Sequence, residues 1–295
     1  MYAKCWLTVV AMLVSIPMVS AQTTIELDDE LQRKCLELLR SGLKSDEFWP
    51  AMHAAEGLSK SGFGSEVIKF LEPKLAEEKD DQRRCGLARE LVRAGDVSKT
   101  KILVEVLASP DSYGHVHACE SLYKVSQIGD AARLRKAMGA KDKPLLVIMA
   151  AAALARSGED EAFALLRDYV RHQDAMVART AAWVLGRVGN AQDIPELRLT
   201  SRRFTDPLTL AYFEHAMAAL GDANAVVALV ANLRHSEPAV RTYACGFAPD
   251  ARAVLARDSL IELLNDSTQD IRIRAADALL RLSRPVDKDR SAMKE

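Results

Sequence analysis

The chain has 295 residues, with 40 Lys and Arg against 41 Asp and Glu and only 5% aromatic residues. That near-neutral balance gives no electrostatic footprint for nucleic acid or for an anionic membrane surface. An Ala- and Leu-rich composition with 14 Gly and 10 Pro leans all-α, over a length that suits one or two domains.

The first element in chain order is a targeting segment. Met1–Lys4 is a short positive start, Cys5 to Val19 is an uncharged apolar run, and Val19, Ser20 and Ala21 supply a small-residue cleavage site before Gln22. This is the tripartite pattern of a secretory signal peptide, in which residues 1–21 are removed. The run is shorter than the ~20 residues of a membrane span. The expectation is an exported protein, periplasmic or secreted, with no membrane span after cleavage. The mature chain then carries 39 basic residues (40 less Lys4) and 41 acidic ones, a net charge of −2.

From there one pattern recurs: an apolar helix that ends in glycine followed by a polar residue. Gly62, Gly95, Gly129, Gly158, Gly189 and Gly221 are spaced by 29 to 34 residues. Glycine suits the left-handed residue that closes a helix, and the polar residue after it can cap the next one. Four residues before these glycines lie Leu58, Leu91, Val125, Leu154, Leu185 and Met217. Seven and eight before lie small or apolar pairs such as Ala54/Ala55 and Ala181/Ala182, which the helical period places on the same face. Upstream of each such helix the pattern predicts another amphipathic helix and a turn with an acidic residue. Those residues are Asp46, Asp80, Asp111, Asp142, Asp174, Asp206, Glu237 and Asp270, and helix N-capping explains them. Pro249 truncates the second helix of the seventh unit, and residues 257–283 restore the pattern. About eight hairpins over 25–283 form one domain (22–283), followed by a charged tail, 284–295.

The segments DAMVARTAAWVLGRVGN (174–190) and DSTQDIRIRAADALLRLS (266–283) resemble the second helix of HEAT repeats, closest to the phycobilisome-lyase HEAT-like subtype. The expected fold is an all-α, right-handed α-solenoid of about eight such hairpins. Each hairpin needs neighbours to bury its stripe, and stacking makes a curved rod whose second helices line a concave wall. The resemblance implies a scaffold that binds other proteins.

On that wall, nine and six residues before each glycine, units three to seven carry Tyr123, Met149, Trp183, Tyr212, His215 and Tyr243. Aromatic side chains on a rigid wall anchor peptides and proteins, so these six are the candidate partner-binding residues. The end units carry His53, Glu56, Arg89, Arg274 and Asp277 instead. No phosphate loop, nucleophile elbow, HExxH or CxxC spacing is present. No catalytic residue, metal or cofactor is therefore expected, and the reading is a non-enzymatic scaffold that holds an extended peptide or a partner protein. The alternatives are an enzyme or enzyme subunit akin to HEAT-like lyases that attach bilins, and a purely architectural spacer or assembly module. Glu214 stands out in a slot where other units place Ala or Leu, with its head expected to reach solvent. Cys35, Cys85, Cys119 and Cys245 read as free structural thiols, because equivalent residues of stacked helices lie too far apart for a disulfide.

Overall fold

A computed structural model describes residues 24–285. The segment read as a signal peptide and residues 286–295 of the charged tail lie outside the described residues. Sixteen α-helices follow as eight hairpins: α1 (Asp29–Leu43) with α2 (Phe48–Lys60), α3 (Gly64–Glu77) with α4 (Asp81–Arg93), α5 (Thr100–Ala108) with α6 (His115–Lys124), α7 (Ala131–Met138) with α8 (Pro144–Ala155), α9 (Asp160–Val170) with α10 (Ala175–Val188), α11 (Ile194–Ser201) with α12 (Pro207–Ala219), α13 (Ala223–Asn232) with α14 (Pro238–Phe247), and α15 (Arg257–Leu263) with α16 (Gln269–Leu282). No strand occurs among the described residues.

The punctuation works through the chemistry the sequence suggests. Gly62, Gly95, Gly129, Gly158 and Gly221 all have positive φ, between 61° and 118°. Gly189 differs: its φ is −80° and the backbone is extended. Its smallness matters instead, since a Cβ there would sit 2.5 Å from Asp193 Oδ2 and 2.7 Å from Leu185 O. In unit seven Arg252 takes the left-handed position, with φ 49°. At the helix starts, Asp80, Asp174 and Asp206 accept hydrogen bonds from backbone N–H groups of α4, α10 and α12. Asp130 and Asp222 do the same for α7 and α13. These bonds satisfy donors that every helix N-terminus leaves free.

The even-numbered helices form an inner layer and the odd-numbered ones an outer layer. Leu58, Leu91, Leu154, Leu185 and Leu279 are buried between the layers with the alanine pairs Ala54/Ala55, Ala150/Ala151, Ala181/Ala182 and Ala275/Ala276. Small residues let neighbouring inner helices approach closely. At Gly186 of α10 a Cβ would lie 2.7 Å from Ala216 Cα of α12, so the backbones themselves are in contact.

The stack does not end in two free faces. The last inner helix, α16, packs against α1 and α2 just as each earlier inner helix packs against the unit that follows it. Ile25 N–H donates to Leu282 O at 3.1 Å, Arg284 Nη1 donates to Lys60 O at 2.5 Å, and Ser45 Oγ donates to Gln269 Oε1 at 2.8 Å. Lys34 Nζ reaches Asn265 Oδ1 at 3.2 Å. Ile273 of α16 is buried against Gly42 of α1, where a Cβ would come within 2.6 Å of its Cδ1. The curved rod expected from the sequence is therefore a closed ring of eight hairpins, and its concave wall is the lining of a central bore.

Candidate functional site

The bore gathers side chains from the inner helices of successive units. Eight helices spaced by about 9–10 Å close into a ring of roughly 12 Å radius. Each helix with its side chains occupies about 5–6 Å of that radius. Only long side chains can meet across the remainder, and here they do. Trp49 of unit one stacks on His117 of unit three, with ring centroids 5.4 Å apart. Tyr123 of unit three meets the edge of Trp183 of unit five at 5.7 Å, across the small residues of α8. The Arg187 guanidinium of unit five lies 3.8 Å from the Phe247 ring centroid of unit seven.

Closure rearranges the expected site. The two charged ends of the array, units one and two and unit eight, become neighbours and form one charged sector. In it His53 Nδ1 and Asp270 Oδ1 are 2.6 Å apart, and Arg274 Nη2 lies 2.8 Å from His53 Nε2. His53 with its proton on Nδ1 donates to Asp270 and accepts from Arg274. Burial, followed by the Arg274 charge, lowers the His53 pKa against the opposing pull of Asp270. Deeper in the bore Glu56 pairs with Lys60 at 2.5 Å and with Arg93 at 3.6 Å. Burial alone would raise the Glu56 carboxyl, but Arg93, Lys60 and Lys124 outweigh it and hold it well below the usual range. Glu120 behaves alike: burial opposes ionisation, yet Lys124 and Arg89 bring its pKa to about 2. Glu90 is fully buried and binds both Arg89, at 2.6 Å, and Arg93.

The six candidate partner-binding residues line the opposite sector, and closure has covered most of them. Tyr123, Met149, Tyr212 and His215 are 1%, 7%, 8% and 0% exposed, while Trp183 and Tyr243 are half-buried. Tyr212 and Tyr243 pack at 4.4 Å between centroids and hydrogen-bond through their hydroxyls. Burial and then Tyr243 raise the Tyr212 pKa. The wall is thus a packed lining rather than an open groove, because units that would flank a concave face in an open rod face one another across the bore.

Other sequence expectations resolve individually. Glu214 is half-buried and accepts a 2.7 Å hydrogen bond from Asn232 Nδ2, which also lies 3.3 Å from His215 Nε2. Burial, followed by the nearby Arg187 charge, lowers the His215 pKa to about 3. His172 Nδ1 and His235 Nδ1 each accept from the backbone N–H two residues on, and His115 Nε2 lies 3.0 Å from Ser109 O. No group of three or more His, Cys, Asp or Glu side chains that could hold a metal occurs among the described residues. Asp270 is not a cap; it joins His53 and Arg274 across the closure. Pro249, read only as a helix terminator, also has a consequence in the bore. It is buried at the end of α14, and Asp250 beside it bridges Arg187 at 2.9 Å and Arg281 at 2.6 Å.

The two mouths differ. Inner helices run parallel around the ring, so their C-terminal carbonyls, the negative ends of the helix dipoles, gather at one mouth. Cations collect there: Arg187 donates to Trp183 O at 3.2 Å, Arg252 to Arg284 O at 2.9 Å and Arg93 to Lys124 O at 3.4 Å. At the other mouth, above the helix N-termini, Trp49 and Tyr113 are 38% and 53% exposed. Tyr113 Oη donates to Asp80 at 3.0 Å, and Arg83 stacks on Phe48 beside Trp49 at 4.7 Å. These side chains form one aromatic patch on the rim of units one to three. The sequence reading did not find it, because Trp49 and Tyr113 fall in the turns and first helical turns, outside the repeat columns.

Repeated hairpins in two concentric layers define an all-α helical-repeat protein. Residues 131–206, from the start of α7 to the residue that caps α12, match the family model of HEAT repeats. No curated protein matches the chain. Among solved structures, it is similar to the complex of CpcE and CpcF of phycocyanin lyase from Nostoc sp. PCC7120, at 20% identity and a TM-score of 0.44, over 90% of this chain and 100% of that one. It is also similar to two engineered proteins, each at 18% identity. One has a TM-score of 0.30 over 84% of this chain and 78% of that one. The other has a TM-score of 0.27 over 86% and 97%.

Proposed function

We propose that this chain is a non-catalytic, exported binding scaffold that docks a protein or peptide on the rim of its ring, not along a concave groove. The observation that carries the reading is the exposed patch of Trp49, Tyr113 and Arg83. Trp, Tyr and Arg are the residue types that dominate binding hot spots, and here they stand on a rigid ring that loses little entropy on docking. The bore lining, by contrast, is already packed against itself. Export is part of the proposal and rests on the residues before Gln22; the exported product would begin at Gln22 in N-terminal sequencing. Affinity capture with identification of partners by mass spectrometry tests the docking surface. The Trp49→Ala/Tyr113→Ala double variant should lose a partner that a Val227→Ala/Leu255→Ala control, altered at exposed apolar residues elsewhere on the ring, retains. Retention of every partner by the rim variant would remove the patch from consideration.

A second reading, a purely architectural module, is favoured by the burial of Tyr123, Met149, Tyr212 and His215. It expects the rim variant and the control to behave alike while the ring remains a spacer between other components.

A further inference from the structure

The cation-rich mouth contains more donors than the ring itself uses. Most of its cations are satisfied by carboxylates or by helix carbonyls: Lys60 by Glu56, Lys124 by Glu120 at 2.6 Å, Arg187 and Arg281 by Asp250. Arg156, at the end of α8, is different. It makes no ion pair among the described residues; its Nη1 donates to Ser126 Oγ at 2.9 Å, and its buried Nε has no hydrogen-bond partner. Its guanidinium lies over the Tyr123 ring, 4.6 Å from the centroid. Tyr123 is itself 1% exposed, and its hydroxyl also has no partner. Two buried donors on stacked side chains are thus left over.

The surroundings of that pair come from three successive inner helices. Tyr123 and Lys124 stand on α6, Arg156 on α8, and Trp183 and Arg187 on α10. Lys124 Nζ and Arg187 Cζ lie 5.4 Å and 4.7 Å from the Trp183 ring centroid, and Trp183 meets Tyr123 edge-on at 5.7 Å. The helix between them, PLLVIMAAAALA, has no charged or polar side chain, so it brings no carboxylate to neutralise Arg156. An unneutralised guanidinium stacked on the ring of a tyrosine whose hydroxyl has no partner, next to a tryptophan that carries two further cations, is a donor set that recognises an oxyanion.

We propose that this mouth binds a compact oxyanion through Arg156 and the Tyr123 hydroxyl, beside the Trp183 ring that Lys124 and Arg187 flank. The shared chemistry is two or more acceptor oxygens on one centre, which a phosphoryl group and a carboxylate both provide. Glu120 and Asp250 stay paired with Lys124 and Arg187, so the anion relies on Arg156 for its charge and on Tyr123 for orientation. This site is separate from the rim patch, and its test does not depend on any protein partner.

The mature full chain is titrated with inorganic phosphate, and separately with acetate, at constant ionic strength maintained by chloride. Tryptophan fluorescence, thermal midpoint and the two variants Arg156→Gln and Tyr123→Phe are the readouts. A saturable response to phosphate or acetate that chloride does not reproduce is expected; phosphate alone assigns the site to phosphoryl groups, acetate alone to carboxylates. Arg156→Gln should weaken binding at least tenfold. Tyr123→Phe should weaken it severalfold while the anion-free midpoint stays level or rises, because it deletes a buried hydroxyl that has no partner. No saturable response in the natural chain, or an Arg156→Gln variant that titrates like it, overturns the proposal.

Discussion

Ile273→Ala probes ring closure at a single side chain. Ile273 is 1% exposed, and the surface that covers it belongs to unit one at Gly42. In an open array the corresponding face of the last unit would meet solvent, and truncation there would cost within about 0.5 kcal/mol. In the closed ring the same change leaves a cavity and costs about 2–5 kcal/mol. The better helix propensity of Ala returns a few tenths of that. A net loss of about 3 kcal/mol corresponds to a thermal midpoint lower by roughly 6–12 °C for a domain of this size. Urea unfolding followed by circular dichroism gives the loss, and hydrogen exchange shows where it falls, since repeat arrays open locally. Exchange should speed up in α1 and α2 together with α15 and α16, which lie at opposite ends of the chain. A loss under about 0.5 kcal/mol with α1 unchanged would refute the closure.

The histidines make stability depend on pH. His215 has its folded-state pKa lowered from 6.5 to about 3, so the folded ring prefers it neutral. Its contribution is full above about pH 6.5 and is lost as pH falls toward 3; at pH 5 the loss is about 2 kcal/mol. His53 shifts in the same direction and adds to this decline. Denaturant midpoints at pH 7 and pH 5 should therefore differ in the natural chain and differ less in His215→Gln; equal differences would contradict the assignment. The four cysteines among the described residues, Cys35, Cys85, Cys119 and Cys245, are fully buried, and burial pushes each thiol up to about 12. A thiol reagent should label none of them in the folded protein at pH 8 and all of them after denaturation, whereas fast native labelling would show that the helices are packed more loosely than described here.

The hairpins were legible because their signals are local. Gly62 or Asp174 closes or caps a helix through atoms a few residues away, and the alanine pairs reveal which face is buried. Closure was not legible, because it depends on a small rotation between units summed eight times, which no single residue encodes. One trace of it does stand in the sequence. A terminal unit normally turns a polar face outward, yet the last inner helix carries Ile271 and Ile273. The aromatic wall was placed on the right helix face, but whether it stands open or packed was not legible: Tyr123 and Tyr212 point inward as the period requires, and the ring buries them. Trp49 and Tyr113 escaped the columns because they lie where each hairpin turns, and there local geometry outweighs the repeat.

A distance between spin labels on residues 34 and 265 tests the closed ring most directly. Both positions are exposed, and Lys34 Nζ touches Asn265 Oδ1 at 3.2 Å across the closure, while the cysteines among the described residues are buried from the labelling reagent. The ring predicts one narrow distribution at the short limit of the method. Eight units stacked about 9–10 Å apart in an open solenoid would separate the labels by about 60 Å or more, and that long distance would contradict the closed ring.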